Sequence, residues 1–314
     1  MASIRTSLHI AAAVAAVTLG SAWLASFQGT PYEAPRRLQW GTMPSRWISG
    51  GPNCGTEPQF QIHAYNPDFY ILRQSLCTNY EAPFLFLLFG SQKAILFDTG
   101  AGGVPVRTTV QGIVDAYVAA HGGTPLQLIV AHLHSHGDHT AGDSQFSGQP
   151  NTTVVGTSQS AVANFFGFTQ WPTQPVTYDL GGRVLDVLAI PGHHPAHIAV
   201  YDRRTGILLT GDSLYPGRLY VNGASSQGNW GVFKASMQRL VDFTNTHPTR
   251  WVLGTHIEMT TTPGVDFPLG STSHPNERVL QLTREHLREL NTALQALPTP
   301  TLQVHDDFII YPIG

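Results

Sequence analysis

Four histidines and an aspartate lie close together in the segment 132–139. Neutral imidazole is a good ligand for zinc, and a carboxylate adds a harder oxygen ligand with negative charge. Alternate side chains of an extended segment point the same way, so His134 and His136 can share one metal. Asp138 and His139 fall at a turn and can face a second metal beside the first. Leaving so many polar side chains buried and unpaired would be costly. The segment therefore predicts a metal centre.

The elements around this segment indicate how it is positioned. It follows an apolar run, 126–131, that predicts a buried strand, and ligands at a strand end rest on a rigid base. The sequence predicts further strands over 69–73, 83–89, 93–98, 153–155, 183–190, 198–201, 207–210, 250–253 and 308–311. It predicts helices over 107–121, 158–166, 233–243 and 276–297, the last being the longest. Strands alternating with helices indicate a mixed α/β fold.

Five ordered segments resemble the metallo-β-lactamase superfamily. The signature is His134-x-His136-x-Asp138-His139, and each of the other segments ends a predicted strand or follows it closely. They are Phe97-Asp98-Thr99-Gly100, Pro191-Gly192-His193, Thr210-Gly211-Asp212 and Gly254-Thr255-His256. The match spans about residues 69–256. It implies the α/β four-layer αββα sandwich of that superfamily and a metal-dependent hydrolase.

The resemblance also implies roles for single residues. One zinc ion would be held by His134, His136 and His193. A second would be held by Asp138, His139 and His256, and Asp212 would bridge the two ions. Asp138 and Asp212 would be the catalytic carboxylates. Asp98 would orient ligands from behind, as metal-bound imidazoles usually require, and His197 would have a structural part there. Tyr215 is a candidate hydrogen-bond donor to the substrate.

The expected chemistry is hydrolysis of an ester, lactone, thioester or amide, including β-lactam, bond in a small-molecule substrate. Zinc lowers the pKa of a bound water from about 15.7 to about 7, so hydroxide can attack at neutral pH. The chain has no Gly-x-Ser-x-Gly nucleophile turn. One alternative is a β-lactamase like those of subclass B3, in which Ser213 replaces a cysteine ligand. Another is an iron-dependent redox member, although diiron relatives usually carry Glu where this chain has His136.

Composition excludes one class of partner. The net charge is −3 and only 12% of the 314 residues are charged. Nucleic acid binding needs clustered Lys and Arg, so no nucleic acid partner is expected.

The first residues indicate export. Arg5 precedes an uncharged apolar run from Leu8 to Phe27, which has the pattern of a cleaved signal peptide or an uncleaved anchor. The predicted organisation is a signal or anchor over 1–27, an extended strap over 28–55 and a hydrolase domain over 56–314. The expected location is secreted or periplasmic, or membrane-anchored and facing outward. In an exported chain Cys54 and Cys77 could form a disulfide; the alternative is two unpaired thiols.

Overall fold

The computed structural model describes residues 37–222 and 230–313. The predicted signal or anchor over 1–27 lies outside these residues, as does the start of the predicted strap. Among the described helices, none combines the length and the apolar character needed to cross a bilayer. The division into signal, strap and domain stays a prediction, as does a membrane contact through an uncleaved N-terminus.

Short strands alternate with few helices along the described chain. The strands are β1 (Phe60–Asn66), β2 (Phe69–Gln74), β3 (Phe84–Phe89), β4 (Lys93–Phe97), β5 (Gln127–Ala131), β6 (Thr152–Val154), β7 (Val176–Asp179), β8 (Val184–Ala189), β9 (Ile198–Asp202), β10 (Ile207–Gly211), β11 (Arg218–Asn222), β12 (Trp251–Gly254), β13 (Gln281–Leu282), β14 (Gln303–Val304) and β15 (Ile309–Ile313). The α-helices are α1 (Val106–Ala120), α2 (Gly137–Thr140), α3 (Gln159–Phe166), α4 (Trp230–Thr246) and α5 (Arg284–Ala296).

Two six-stranded sheets form the centre of the fold. The first has the order β1-β2-β3-β4-β5-β6, antiparallel up to β4 and parallel from β4 to β6. The second has the order β13-β12-β10-β9-β8-β7, in which β10 and β12 are parallel. Because β9 is antiparallel to both β8 and β10, those two strands run the same way. The carboxyl ends of β8, β10 and β12 therefore meet at one edge.

Apolar side chains on both faces of each sheet build four layers. One core lies between the sheets and joins residues such as Phe86 and Ile129 of the first to Val200 and Leu209 of the second. A second core packs α1 on the outer face of the first sheet, and a third packs α4 and α5 on the outer face of the other. The predicted mixed α/β fold with the αββα order is confirmed.

One predicted helix begins at the wrong residue. A helix over 276–297 was expected, but α5 starts at Arg284, and α4 is the longer helix. Thr283 caps α5, because its hydroxyl accepts from the Glu285 amide at 3.2 Å. The preceding residues are extended, and β13 pairs with β12 there. Leu280 and Leu282 are buried while Val279 is exposed, so the apolar pattern that suggested a helix has a period of two.

The predicted strap is tied to the domain where the structure describes it. Cys54 and Cys77 form a disulfide, which confirms the paired alternative. Glu57 adds polar contacts, because its carboxylate accepts from the amides of Ser49 and Gly50 at 3.0 and 2.9 Å. The same carboxylate accepts from the Ser75 hydroxyl at 3.0 Å, so this hydrogen bond and the disulfide hold residues 49–57 against the loop that joins β2 to β3.

Candidate metal centre

Three histidines converge at the edge where the two sheets meet. His134 and His136 follow the end of β5, and His193 follows β8. The His136 Nδ1 atom lies 3.0 Å from the Nε2 atoms of both His134 and His193, and those two atoms are 3.3 Å apart. Three ring nitrogens thus point at one common position.

A second group of donors lies beside the first. Asp138 and His139 are on the four-residue helix α2, and His256 follows β12. The Asp138 Oδ2 atom is 3.2 Å from His139 Nε2 and 3.3 Å from His256 Nε2, and the two nitrogens are 3.4 Å apart. These three side chains therefore also face a common position.

Asp212 joins the two groups. It follows β10, and its Oδ2 atom lies 3.5 Å from His134 Nε2 and 3.6 Å from His193 Nε2. Its Oδ1 atom faces the other group, 3.5 Å from His139 Nε2 and 3.4 Å from His256 Nε2. One carboxylate oxygen serves each group, which is the arrangement a bridging ligand requires.

The donor atoms fit metal ions. In a tetrahedral zinc site with bonds of about 2.0–2.1 Å, neighbouring ligand atoms lie about 3.3 Å apart, close to the spacings seen in both groups. All donors of each group lie within 4.8 Å of one another. The groups are consistent with a binuclear metal site, formed by His134, His136, His193 and Asp212 and by Asp138, His139, His256 and Asp212. That these residues bind metal stays a prediction.

Polar groups behind the donors orient three of the rings. His139 Nδ1 is 3.0 Å from Asp98 Oδ2, and the other Asp98 oxygen accepts from the Leu133 amide at 2.9 Å. His193 Nδ1 donates to the Tyr220 carbonyl at 2.7 Å, and His256 Nδ1 donates to the Glu81 carbonyl at 2.8 Å. Each of these contacts leaves Nε2 directed at the donor group.

His197 is buried and packs against His134, one of the donors of the first group. Its ring stacks on His134 with centroids 4.8 Å apart, and its Nε2 lies 3.1 Å from the Thr210 carbonyl. Gly211 makes this approach possible, because its φ is +52° and a Cβ there would lie 2.5 Å from His197 Nε2.

Asp98, which contacts His139, also has a positive φ, of 69°. This is a strained backbone state often seen at functional sites.

The electrostatics differ between the two groups. Burial lowers the pKa of His193 to about 4 and that of His134 well below its usual range, so both rings are neutral, the form that binds metal. Burial acts the same way on His139, but the charges of Asp138, Asp212 and Asp98 outweigh it and raise its pKa. The second group is thus a place where positive charge is stabilised.

An open cavity of about 230 Å³ gives access to the donors. Five donor residues form part of its wall, and the rest comes from Glu81, Tyr215, Tyr220, Glu258 and Ile313. Tyr215 lines the cavity as expected of a substrate contact, but its hydroxyl donates to the Arg218 carbonyl. Its part in binding stays a prediction. Ser213 is fully buried with its hydroxyl 3.3 Å from His197 Nδ1.

Sequence reasoning missed several supporting residues. Tyr220 and Glu81 act through backbone carbonyls, which leave no side-chain signal. Tyr220 lies on β11, a strand that was not predicted. The residues on either side of it, Leu219 and Val221, are buried, which is the alternating pattern of a strand. Thr255 donates its hydroxyl to Asp212 Oδ1, and its position beside His256 could have suggested such a contact.

The fold thus places the candidate metal ligands close after strand ends, between the two sheets of an αββα sandwich. The model for the metallo-β-lactamase superfamily matches residues 82–245, just over half of the chain. The chain therefore belongs to the metallo-β-lactamase superfamily.

The sequence of the chain is also similar to those of individual proteins. The chain is 31% identical to a hydroxyacylglutathione hydrolase of Synechococcus over 118 residues, which are 35% of this chain and 46% of that protein. It is 27% identical to an acyl-coenzyme A thioesterase of Homo sapiens over 165 residues, 43% and 59% of the two chains. The chain thus spans about half the length of the curated relatives it matches.

A solved structure supports the fold alone. A metallo-β-lactamase from Pontibacter korlensis superposes with a TM-score of 0.51 and 17% identity, covering 76% of this chain and all of the other. At that identity the likeness carries no argument about substrates.

Proposed function

We propose that the chain is an exported hydrolase that uses two zinc ions to cleave an ester, thioester, lactone or amide bond in a small molecule. The observation that carries the proposal is Asp212, with one carboxylate oxygen facing each of two donor groups at the floor of an open cavity. Two such ions, when bound, supply an activated water at neutral pH and polarise a carbonyl.

Residues of the chain would bind the ions, orient the ligands and contact the substrate. The seven donors would hold the ions, and Asp138 and Asp212 would be the catalytic carboxylates among them. Asp98, the Tyr220 carbonyl and the Glu81 carbonyl keep three imidazoles in their binding orientation. The Tyr215 ring would contact the acyl group, since its hydroxyl is already donated to the Arg218 carbonyl.

Thioesters are the bond type that the relatives favour. A hydroxyacylglutathione hydrolase and an acyl-coenzyme A thioesterase are named for thioester substrates. This supports thioesters as the first substrates to test, ahead of β-lactams.

The disulfide supports export, because disulfides persist in oxidising compartments and are rare in the cytosol. Cell fractionation with sequencing of the mature N-terminus tests this part. Protein found in the cytosol with Cys54 and Cys77 reduced would contradict it.

A hydrolysis panel on the zinc-loaded protein tests the activity. The panel should contain thioesters, aryl esters, acyl lactones and a chromogenic β-lactam, each repeated with a chelator. We expect turnover of at least one class that the chelator abolishes and added zinc restores. Two bound zinc ions with no turnover of any class would contradict hydrolysis, and a coloured iron protein would favour redox chemistry.

A further inference from the structure

We propose that the Cys54–Cys77 disulfide is a redox switch for the second donor group. When the disulfide is closed, it holds the loop whose backbone orients His256, and when it is reduced, the loop loosens and zinc binds more weakly there. The loop comprises residues 75–83, which join β2 to β3, and is called the β2–β3 loop. The inference rests on the proposed metal-dependent function and adds a regulation of the same site.

The β2–β3 loop contacts the metal centre through Glu81. The Glu81 carbonyl accepts from His256 Nδ1 at 2.8 Å, and the Nε2 atom of that ring lies 3.3 Å from Asp138 Oδ2. A partner of this kind fixes the orientation of a metal-binding imidazole, and its loss typically lowers metal affinity about 10–100-fold. The position of the Glu81 carbonyl therefore affects how tightly the second group binds its ion.

The backbone next to this carbonyl is strained. Ala82 directly follows Glu81, and it is buried with a φ of 39°, in the left-handed region that side chains other than glycine rarely adopt. Such a conformation persists only where the surrounding contacts impose it. On one side the Phe84 amide donates to the Thr255 carbonyl at 2.8 Å, which fixes the end of the loop beside His256.

The disulfide holds the loop on the other side. Ser75, at the start of the loop, donates its amide to the Gln59 carbonyl at 2.9 Å. The two amides that follow Cys77 both donate back to the Ser75 carbonyl, at 2.9 and 3.3 Å. Those two bonds shape the loop without attaching it to another segment. The disulfide does attach it, at Cys77, and Glu81 follows on the same short stretch.

The other half of the disulfide lies on a segment that is itself anchored. The Gly51 amide donates to the Thr272 carbonyl at 2.9 Å, and the His274 amide donates to the Ser49 carbonyl at 2.8 Å. Cys54 follows closely on the short 3-10 helix that begins at Gly51. The disulfide therefore joins the β2–β3 loop to a fixed part of the domain.

The disulfide is accessible to a reductant. Cys54 is exposed and Cys77 is only partly buried, and exposed disulfides are reduced more readily than buried ones. A dithiol breaks the S–S bond and leaves two thiols on the chain, while it gives up two electrons and two protons and closes to a disulfide itself. The β2–β3 loop then loses its covalent attachment, and the Glu81 carbonyl is held less firmly.

The proposed export gives this coupling a consequence. The cytosol keeps thiols reduced, and disulfides form in oxidising compartments. A chain that still has both thiols would hold the second ion weakly, and closing the disulfide after export would tighten that ion. The second donor group would thus reach its full affinity only outside the cytosol.

Zinc affinity measured by chelator competition tests the inference. The oxidised protein, the protein reduced by a dithiol and then freed of it without air, the reoxidised protein and C54S/C77S should be compared. We expect the second ion to bind about 10–100-fold more weakly in the reduced protein and in the double variant, and reoxidation to restore the affinity. The double variant has no thiols that could bind zinc, so it should match the reduced protein.

A second measurement needs no metal. Amide hydrogen exchange over residues 77–82 of the metal-free protein should be about tenfold faster, or more, once the disulfide is reduced. Two variants serve as controls. L290A removes a buried side chain from the core under α5, so it lowers stability elsewhere and should leave the affinity of the second ion unchanged. H256A removes the contact with Glu81, and its remaining ion should bind equally well with and without the disulfide.

The outcomes separate the inference from the function on which it rests. Equal affinity for the second ion, or equal exchange rates, in the oxidised and reduced proteins would overturn the switch and leave the hydrolase proposal standing. Weaker binding in L290A, or a disulfide effect that persists in H256A, would also overturn it, since either would show a general loosening of the domain. An oxidised protein that binds no zinc would overturn the metal-dependent function itself.

Discussion

The disulfide is expected to provide much of the stability of the region beside the metal centre. Cys54 and Cys77 are 23 positions apart, and closing a loop of that length lowers the entropy of the unfolded chain by an amount worth about 3.4 kcal/mol at 25 °C. Since whole domains are stable by only about 5–15 kcal/mol, the loss would be large. The double variant C54S/C77S should therefore unfold about 3 kcal/mol more easily than the oxidised protein.

Urea unfolding in a chelating buffer measures this, because bound metal would otherwise shift the equilibrium. The oxidised protein, the reduced protein and the double variant should be compared at one pH. The reduced protein should match the double variant, and a reductant should not affect the variant.

Two results would refute the reasoning. One is a difference below about 1 kcal/mol between oxidised and reduced protein, which would mean that the loop is held by its other contacts. The other is a double variant that is sensitive to reductant.

Three further predictions concern the metal centre and its surroundings. H136A and D138A should each remove one donor from a different group, lower the bound zinc from two ions towards one, and abolish hydrolysis of the substrate identified by the panel. D98N should keep the fold but weaken the orientation of His139, with a loss of about 10–100-fold in metal affinity or activity, measured by chelator competition. His132 has its pKa raised to about 9, because its hydrogen bond to Asp143 at 3.1 Å and the charge of Asp98 outweigh its burial. Its protonation therefore stabilises the fold fully below about pH 6.5, and this contribution of about 3 kcal/mol is lost as the pH rises through about 9. Unfolding of the metal-free protein at several pH values, with H132N as the reference, should show that loss only in the parent chain.

One result would contradict each of these predictions. Full activity in both ligand variants would remove the case for the site, and unchanged metal affinity in D98N would show that His139 does not need its support. A parent chain and H132N with parallel pH profiles would show that His132 is not protonated at neutral pH.

The donors themselves could be predicted because each lies close after an apolar run. The run before His134 predicts a strand end, and the same is true of Asp212 and His256, so convergence follows from where carboxyl ends of strands meet. The signature segment also contains four of the seven donors, which fixes their relative positions before any long-range contact is known.

Other features could not be predicted for physical reasons. The carbonyls of Glu81 and Tyr220 orient two donors, but any residue type has a carbonyl, so sequence carries no signal for them. The start of α5 was misplaced because Leu280 and Leu282 fit both a helical and an extended pattern until the pairing with β12 is known. The cavity wall combines residues from distant segments, which only the folded chain brings together.

Metal analysis combined with anomalous diffraction tests the central claim most directly. We expect two zinc ions per chain, about 3.5–4 Å apart, with Asp212 contacting both. A single ion at another position would contradict it. So would a structure in which the imidazoles of His193 and His256 point away from the 134–139 segment.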